Sequence, residues 1–229
     1  VIYSSAITGQ NPEIIAARQK GIDVLHRSEV LAQLLNSRRG IAVSGAHGKT
    51  TVTSMIALCL EMAGTDPTVL IGAHFTPFGP GAKYGHGEFV VAEADESDGS
   101  FLRYNPEVCV VTSIEADHLE NYNGAFESLI AGYRRFLGNC KPGGLRLIGV
   151  DHPVGASISQ EYPCVTYGFA PGANWRAEVL HLEQQRSAFR VYRGETFFAD
   201  FVLNVPGRHN VSNALACIAL CHHLGLTIP

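Results

Sequence analysis

No run of apolar residues in this 229-residue chain approaches the ~20 that a membrane-spanning helix needs, so the sequence offers no candidate for bilayer insertion. An excess of positive charge is also missing. Lys and Arg number 17 against 21 Asp and Glu, a formal net charge of -4. Bulk electrostatics therefore give no attraction to nucleic acid or to an anionic membrane, and any anion must be held by a local site. The six cysteines (Cys59, Cys109, Cys140, Cys164, Cys217 and Cys221) include no C-x-x-C pair. Zinc spacing is absent, and most of them lie in apolar runs. The expectation is buried free thiols in a reducing, cytoplasmic compartment. No repeat, low-complexity tract or signal peptide is visible. The chain opens at Val1 on residues that already read as mid-domain, so a longer parent protein is expected.

What is present reads as α/β. Residues 1–38 suggest strand, helix, short strand, helix, the closing part of a parallel domain. Asn11-Pro12-Glu13 is a helix start, with proline in the first turn and an early acid. Ser28 is a cap candidate for SEVLAQLLNS, and Arg38-Arg39-Gly40 a candidate linker. From Ile41 onward, the apolar runs IAV, TVLIG, FVVAEA, EVCVVTSI, LRLIGV and CVTYGF alternate with helical patterns such as AFESLIAGYRRFLGN. Apolar strands without alternation imply a sheet buried on both faces, hence parallel strands with helical crossovers. Residues 175–204 partly alternate between short turns and predict antiparallel hairpins attached to that sheet. A closing helix is expected over HNVSNALACIALCHHLG.

The stretch IAVSGAHGKTTVTSMIALCLEMAG carries the strongest chemical signal. A strand (IAV) runs into a glycine turn, Gly45-Ala46-His47-Gly48-Lys49-Thr50, and a helix follows from Thr51. Backbone N–H groups at such a turn, together with the positive end of a helix, make an anion site. Lys49 adds a mobile charge for terminal phosphates, and the Thr50 hydroxyl is placed for magnesium. The long phosphate-loop spacing would need glycine at position 43, where valine stands, so the loop is a shorter G-x-x-G-K-T variant.

A phosphate loop needs a metal partner, and FVVAEADESDGSF supplies Glu93, Asp95, Glu96 and Asp98 after an apolar run. Acids at a strand's carboxyl end sit where open α/β sheets place their sites. Glu93, the first acid off the strand, is the expected metal ligand, and Glu96 the acid best suited to plain solvation. The next strand ends in Glu115, Asp117 and His118, and His118 could ligate a second metal. Finally, PGRHNVSNALA sets His209, Asn210 and Asn213 at a helix start, with the two asparagines one turn apart. Their amides could pair with an adenine edge or serve as helix caps.

The set GAHGKTT, EADESDGSF, SIEADH and PGRHNVSNALA, in this order, resembles the central ATP-binding domain of the Mur ligases, and SSAITGQNPEIIAA is similar to the end of their UDP-binding domain. The acidic segment and PGRHN narrow the likeness to the alanine-adding branch. The resemblance implies a remnant of the UDP-binding domain over 1–38 and an ATP-binding domain over 39–229, with the C-terminal amino-acid-binding domain absent from the sequence. It implies that Gly45 to Thr51 hold the ATP phosphates, with Lys49 on the transferred group. Thr50 and Glu93 would bind one magnesium, His118 a second metal, and His209, Asn210 and Asn213 the adenine. The implied substrates are ATP, UDP-N-acetylmuramate and L-alanine, joined through an acyl phosphate for peptidoglycan synthesis in the cytoplasm. Neither nucleic acid nor membrane is an implied partner, and no oligomeric state follows. Two alternatives stand beside this reading: a recycling ligase that attaches an intact tripeptide to the same sugar nucleotide, and a phosphate-loop module without ligase activity.

Overall fold

The computed structural model describes residues 1–4, 6–72, 79, 81–97, 99–117 and 119–226. Asp98 and His118 lie outside the described residues.

The N-terminal portion holds β1 (Ile2–Tyr3), α1 (Pro12–Gln19), β2 (Leu25–His26) and α2 (Arg27–Ser37), with β1 and β2 paired in parallel. Asn11 caps α1 as expected, its side chain accepting from the Glu13 N–H at 2.9 Å. The start of α2 differs from expectation. His26 is the cap, not Ser28: its ring accepts from the Ser28 N–H while Glu29 accepts from the His26 N–H at 2.8 Å. An imidazole nitrogen here plays the part usually given to a hydroxyl in a reciprocal cap, and Ser28 is buried one position inside the helix.

The expected linker at Arg38-Arg39-Gly40 is the start of a core strand, β3 (Arg39–Ser44). Arg38 donates to Thr68 Oγ1 and to the Gly85 and Gly87 carbonyls, and Arg39 pairs with Glu107 at 2.7 Å. Gly40 lets α2 lie close on the sheet, because a Cβ there would sit 2.4 Å from the Leu35 carbonyl oxygen.

The rest follows the strand–helix alternation: α3 (Lys49–Met62), β4 (Thr68–Leu70), β5 (Ala82–Lys83), β6 (Phe89–Glu93), β7 (Val108–Val111), α4 (Phe126–Gly138), β8 (Leu145–Gly149), α5 (Pro153–Ile158) and β9 (Val165–Gly168). The hairpins β10 (Trp175–Leu182), β11 (Ser187–Arg193) and β12 (Thr196–Leu203) come next, then α6 (Arg208–His223). Ten strands form one sheet in the order β12-β11-β10-β9-β8-β7-β3-β6-β4-β5. From β4 to β10 all neighbours are parallel, while β5, β11 and β12 add antiparallel edges.

Strand periodicity sorts the core into two layers. Ile41, Val43, Val91, Val110 and Leu147 face α3 and α6, with Trp175 and Phe189 extending that layer under the hairpins. Ala42, Val90, Cys109, Val111 and Ile148 face α2 and α4, where Leu35, Tyr133 and Phe136 pack. Each fully buried aliphatic side chain contributes roughly 1.5–3 kcal/mol, which fixes the register. That register brings three carboxyl ends together at the middle of the sheet, with Val43 opposite Glu93 on one side and opposite Val110 on the other. No helix among the described residues is long and apolar enough to cross a membrane.

Candidate nucleotide-binding site

The turn after β3 is built by backbone demands. Gly45 has φ 138° and is buried, and a Cβ there would lie 2.0 Å from Thr112 Oγ1. Gly48 has φ 85°, and its Cβ would meet Asn213 Oδ1 at 2.5 Å. Left-handed backbone and close approach together leave only glycine at both positions. The intervening residues are stitched to the end of β7. Ala46 N–H donates to the Ser113 carbonyl at 3.0 Å, His47 N–H to Ser113 Oγ at 3.2 Å, and the Thr112 hydroxyl to the His47 carbonyl.

The first turn of α3 follows without a side-chain cap. Among the described residues, the N–H groups of Gly48, Lys49, Thr50 and Thr51 have no acceptor. These are the orphan donors every helix start leaves, and here they adjoin open space. The Ala46 and His47 N–H groups are thus taken by Ser113, while those of Gly48 to Thr51 are left for a ligand.

Lys49 is not free in solvent. Its ammonium donates to the Gly45 carbonyl and to Glu96 Oε1, each at 2.7 Å. Glu96 is buried, with Ser44 Oγ 3.4 Å from its other oxygen and the Tyr122 hydroxyl donating to its backbone carbonyl. Solvation was the expected role of Glu96, and burial overturns it. This acid follows β6 by three residues and finds its cation in the interior. Burial and the neighbouring Glu96 charge push the Tyr133 phenol up, which keeps it protonated beside the pair.

The helix α6 closes the other side. It starts at Gly207 (φ 103°), again without a side-chain cap. Asn210 and Asn213 do face one another, with Asn213 Nδ2 donating to Asn210 Oδ1 at 3.4 Å, while Asn210 Nδ2 donates to the Pro206 carbonyl. Neither amide caps the helix N–H groups. A cleft of about 900 Å³ joins this helix start to the loop, lined by His47, Gly48 and Thr51 and by His209, Asn210 and Asn213. Thr112, Ser113 and Asp151 also line it. Asp151 accepts the Phe169 N–H at 2.7 Å and so ties the end of β8 to the end of β9.

Arg208 stacks over the Phe169 ring at 3.8 Å within the same cleft. Its guanidinium was legible in PGRHN, but its stacking partner is 39 positions away. Thr112 and Ser113 left a fainter trace, as polar residues directly after an apolar run.

Thr50 is exposed on the first turn of α3. Glu93 lies at the end of β6 and accepts the Gly72 N–H at 3.0 Å, lining a second cavity of about 420 Å³ with Asp95 and Ser100. Arg27, Leu31 and Leu34 of α2 form that cavity's other wall, between the N-terminal portion and the sheet. A threonine hydroxyl and a carboxylate are hard oxygen donors of the type magnesium takes. All six cysteines are free thiols, four of them buried and Cys59 and Cys164 half-buried.

Residues 43–221 match the family described as Mur ligase middle domain, and residues 1–39 match Mur ligase family, catalytic domain. A UDP-N-acetylmuramate–L-alanine ligase of Symbiobacterium thermophilum is 45% identical, across 99% of this chain and 48% of its own length. The enzyme of that name from Pelotomaculum thermopropionicum is 44% identical, across 99% of this chain and 50% of its own. Among solved structures, a UDP-N-acetylmuramate-alanine ligase from Thermotoga maritima superposes with a TM-score of 0.85 at 29% identity, covering 98% of this chain and 51% of that one. The chain thus spans about half the length of the curated relatives it matches.

Proposed function

The chain belongs to the Mur ligase family, and we propose that its protein joins L-alanine to the carboxylate of UDP-N-acetylmuramate with ATP as phosphoryl donor. One observation carries this reading: Gly48 and Thr51 at the start of α3 and His209, Asn210 and Asn213 at the start of α6 line one cleft. That arrangement suits a nucleotide with its phosphates at the start of α3 and its base against α6. In this reading residues 1–38 close the UDP-binding domain and residues 39–229 form the ATP-binding domain, working in the cytoplasm.

A carboxylate is a poor acyl donor at neutral pH, so activation must precede amide formation. A carboxylate oxygen attacks the γ-phosphorus, the bond to the β-phosphate oxygen breaks, and ADP leaves. The amine of L-alanine then attacks the acyl carbon, phosphate departs, and the ammonium proton is lost. The orphan N–H groups at the start of α3 orient the phosphates, and Lys49 neutralises charge building on the transferred group. Glu96 holds that ammonium at the rim of the loop. Magnesium, when bound at Thr50 and Glu93, supplies charge neutralisation between the two approaching anions. His118 is proposed for the second metal. The cavity beside Glu93, between α2 and the sheet, is the natural seat for the sugar carboxylate.

The test is a product assay on the full-length protein, with ATP, UDP-N-acetylmuramate and either L-alanine or the intact tripeptide. Alanine-dependent phosphate release and formation of the alanyl sugar nucleotide are expected. Turnover with the tripeptide alone would move the protein to the recycling branch, and no turnover with either would leave a nucleotide-binding module.

A further inference from the structure

Cys59 lies on α3, and Cys217 and Cys221 lie one turn apart on α6, where the two helices pack together. Although Cys59 and Cys217 are 158 positions apart, Cys217 Sγ is 3.6 Å from Cys59 Sγ and 3.9 Å from Cys221 Sγ. All three sulfurs lie within 4.8 Å of one another. Cys217 and Cys221 are buried and Cys59 is half-buried, so the cluster meets solvent on the Cys59 side.

The spacing suits one shared central atom better than a sulfur–sulfur bond. A disulfide needs about 2.05 Å between sulfurs. Three sulfurs held at about 2.3 Å from one atom lie roughly 3.3 to 4.0 Å apart, according to whether that atom sits out of their plane or in it. The separations of 3.6 and 3.9 Å fall inside that range, and the third pair lies within 4.8 Å.

Charge decides which atom. Among the described residues no histidine or carboxylate joins the three sulfurs, so tetrahedral zinc lacks a fourth protein ligand. The surroundings that act on the Cys217 and Cys221 thiols are burial and the other two sulfurs, with no lysine or arginine among them. Three thiolates on a monovalent ion would leave two uncompensated negative charges in an apolar layer, and on a divalent ion one. Burying net charge without a partner is strongly unfavourable. A trivalent ion leaves none.

We propose that Cys59, Cys217 and Cys221 form a binding site for a trivalent, three-coordinate thiophilic ion, with arsenous acid as its simplest source. Binding is a ligand exchange: three As–O bonds break and three As–S bonds form. Each thiol proton leaves with a hydroxide as water, and no oxidation state changes. The occupied site ties α3 to α6, the two helices whose first turns face the nucleotide cleft.

The experiment titrates arsenite into the full-length protein kept reduced by a phosphine. One equivalent is expected to bind, with a mass gain of one arsenic less three hydrogens, only sulfur neighbours in X-ray absorption, and a raised unfolding temperature. Cys59→Ser removes the half-buried sulfur with little change in size. It should weaken binding by about a hundredfold or more, because the third bond forms at high effective concentration only when all three sulfurs are present. A variant carrying Cys109→Ser, Cys140→Ser and Cys164→Ser should bind like the parent. Should a variant fail to fold, alkylation mapping on the parent decides: arsenite should protect Cys59, Cys217 and Cys221 and no other cysteine. No binding, an adduct with two sulfurs, undiminished binding by Cys59→Ser, or capture of monovalent copper but not arsenite would each overturn the proposal.

Discussion

Lys49 Nζ lies 2.7 Å from Glu96 Oε1, and the Glu96 side chain is only 2% exposed. In the proposed reaction the lysine therefore has two separable duties, one toward a bound phosphate and one toward a buried carboxylate. Lys49→Ala strands Glu96 without its cation, and breaking a buried pair from one side costs about 3 kcal/mol or more. Adding Glu96→Gln removes that stranded charge. Thermal denaturation should show Lys49→Ala destabilised and the double variant largely recovered. Turnover should fall about a hundredfold in both. Near-normal turnover in Lys49→Ala would remove the lysine from the mechanism.

Gly48→Ala tests the join between the loop and α6. The new Cβ would sit at φ 85° and 2.5 Å from Asn213 Oδ1. A strained backbone position of this kind costs about 1–3 kcal/mol, and here the strain falls on the nucleotide cleft. Calorimetry with a non-hydrolysable ATP analogue should show weakened binding, accompanied by a lower unfolding temperature. Gly64→Ala also places alanine at a positive φ, 73°, but no atom lies within 4 Å of its Cβ. It should leave analogue binding intact.

Arg208 and Phe169 form the third test. The guanidinium carbon lies over the ring, 3.8 Å from its centroid, a contact worth roughly 0.5–2 kcal/mol that a lysine reproduces poorly. Arg208→Lys should weaken analogue binding by several-fold while leaving the magnesium dependence of turnover unchanged. Equal affinity in Arg208→Lys would show that charge alone, not the stack, serves the cleft.

For the metals, Glu93→Gln keeps shape and removes charge. Titrating magnesium against turnover should move the midpoint to higher concentration. His118→Ala should impair acyl-phosphate formation and spare ATP binding, read by positional isotope exchange beside calorimetry. The reverse pattern would exchange the two metal assignments.

Much of this site was legible because its chemistry is local in sequence. Gly45 to Thr51 carry strand, turn and helix start within one stretch, and His209, Asn210 and Asn213 fall within one helical turn and a half. What sequence could not give are contacts set by packing between distant elements. Glu96 looked like one solvated acid of four, because its burial depends on the fold of residues 119–122 over it and on Tyr122. Ser113 became a loop ligand only when β7 paired beside β3. Ser28 lost the cap to His26 because a ring nitrogen accepts as well as a hydroxyl. Arg38 to Gly40 looked like a linker because two arginines seldom open a core strand. Their charges are met by Glu107 and by the Gly85 and Gly87 carbonyls, none of them nearby in sequence.

The bonds from Ala46 and His47 to Ser113 have a kinetic meaning. Fixing one residue's backbone costs about 1–2 kcal/mol, and for this loop that ordering is complete when the sheet forms. In the proposed site, an arriving nucleotide meets this turn already ordered, so encounter should proceed without a slow rearrangement of residues 45–48 after first contact. What would have to move is the Lys49 ammonium, exchanging the Glu96 carboxylate for a phosphate oxygen. In the proposed site the protein thus carries its own surrogate for the ligand, a built-in carboxylate that keeps the cation in place until a phosphate displaces it.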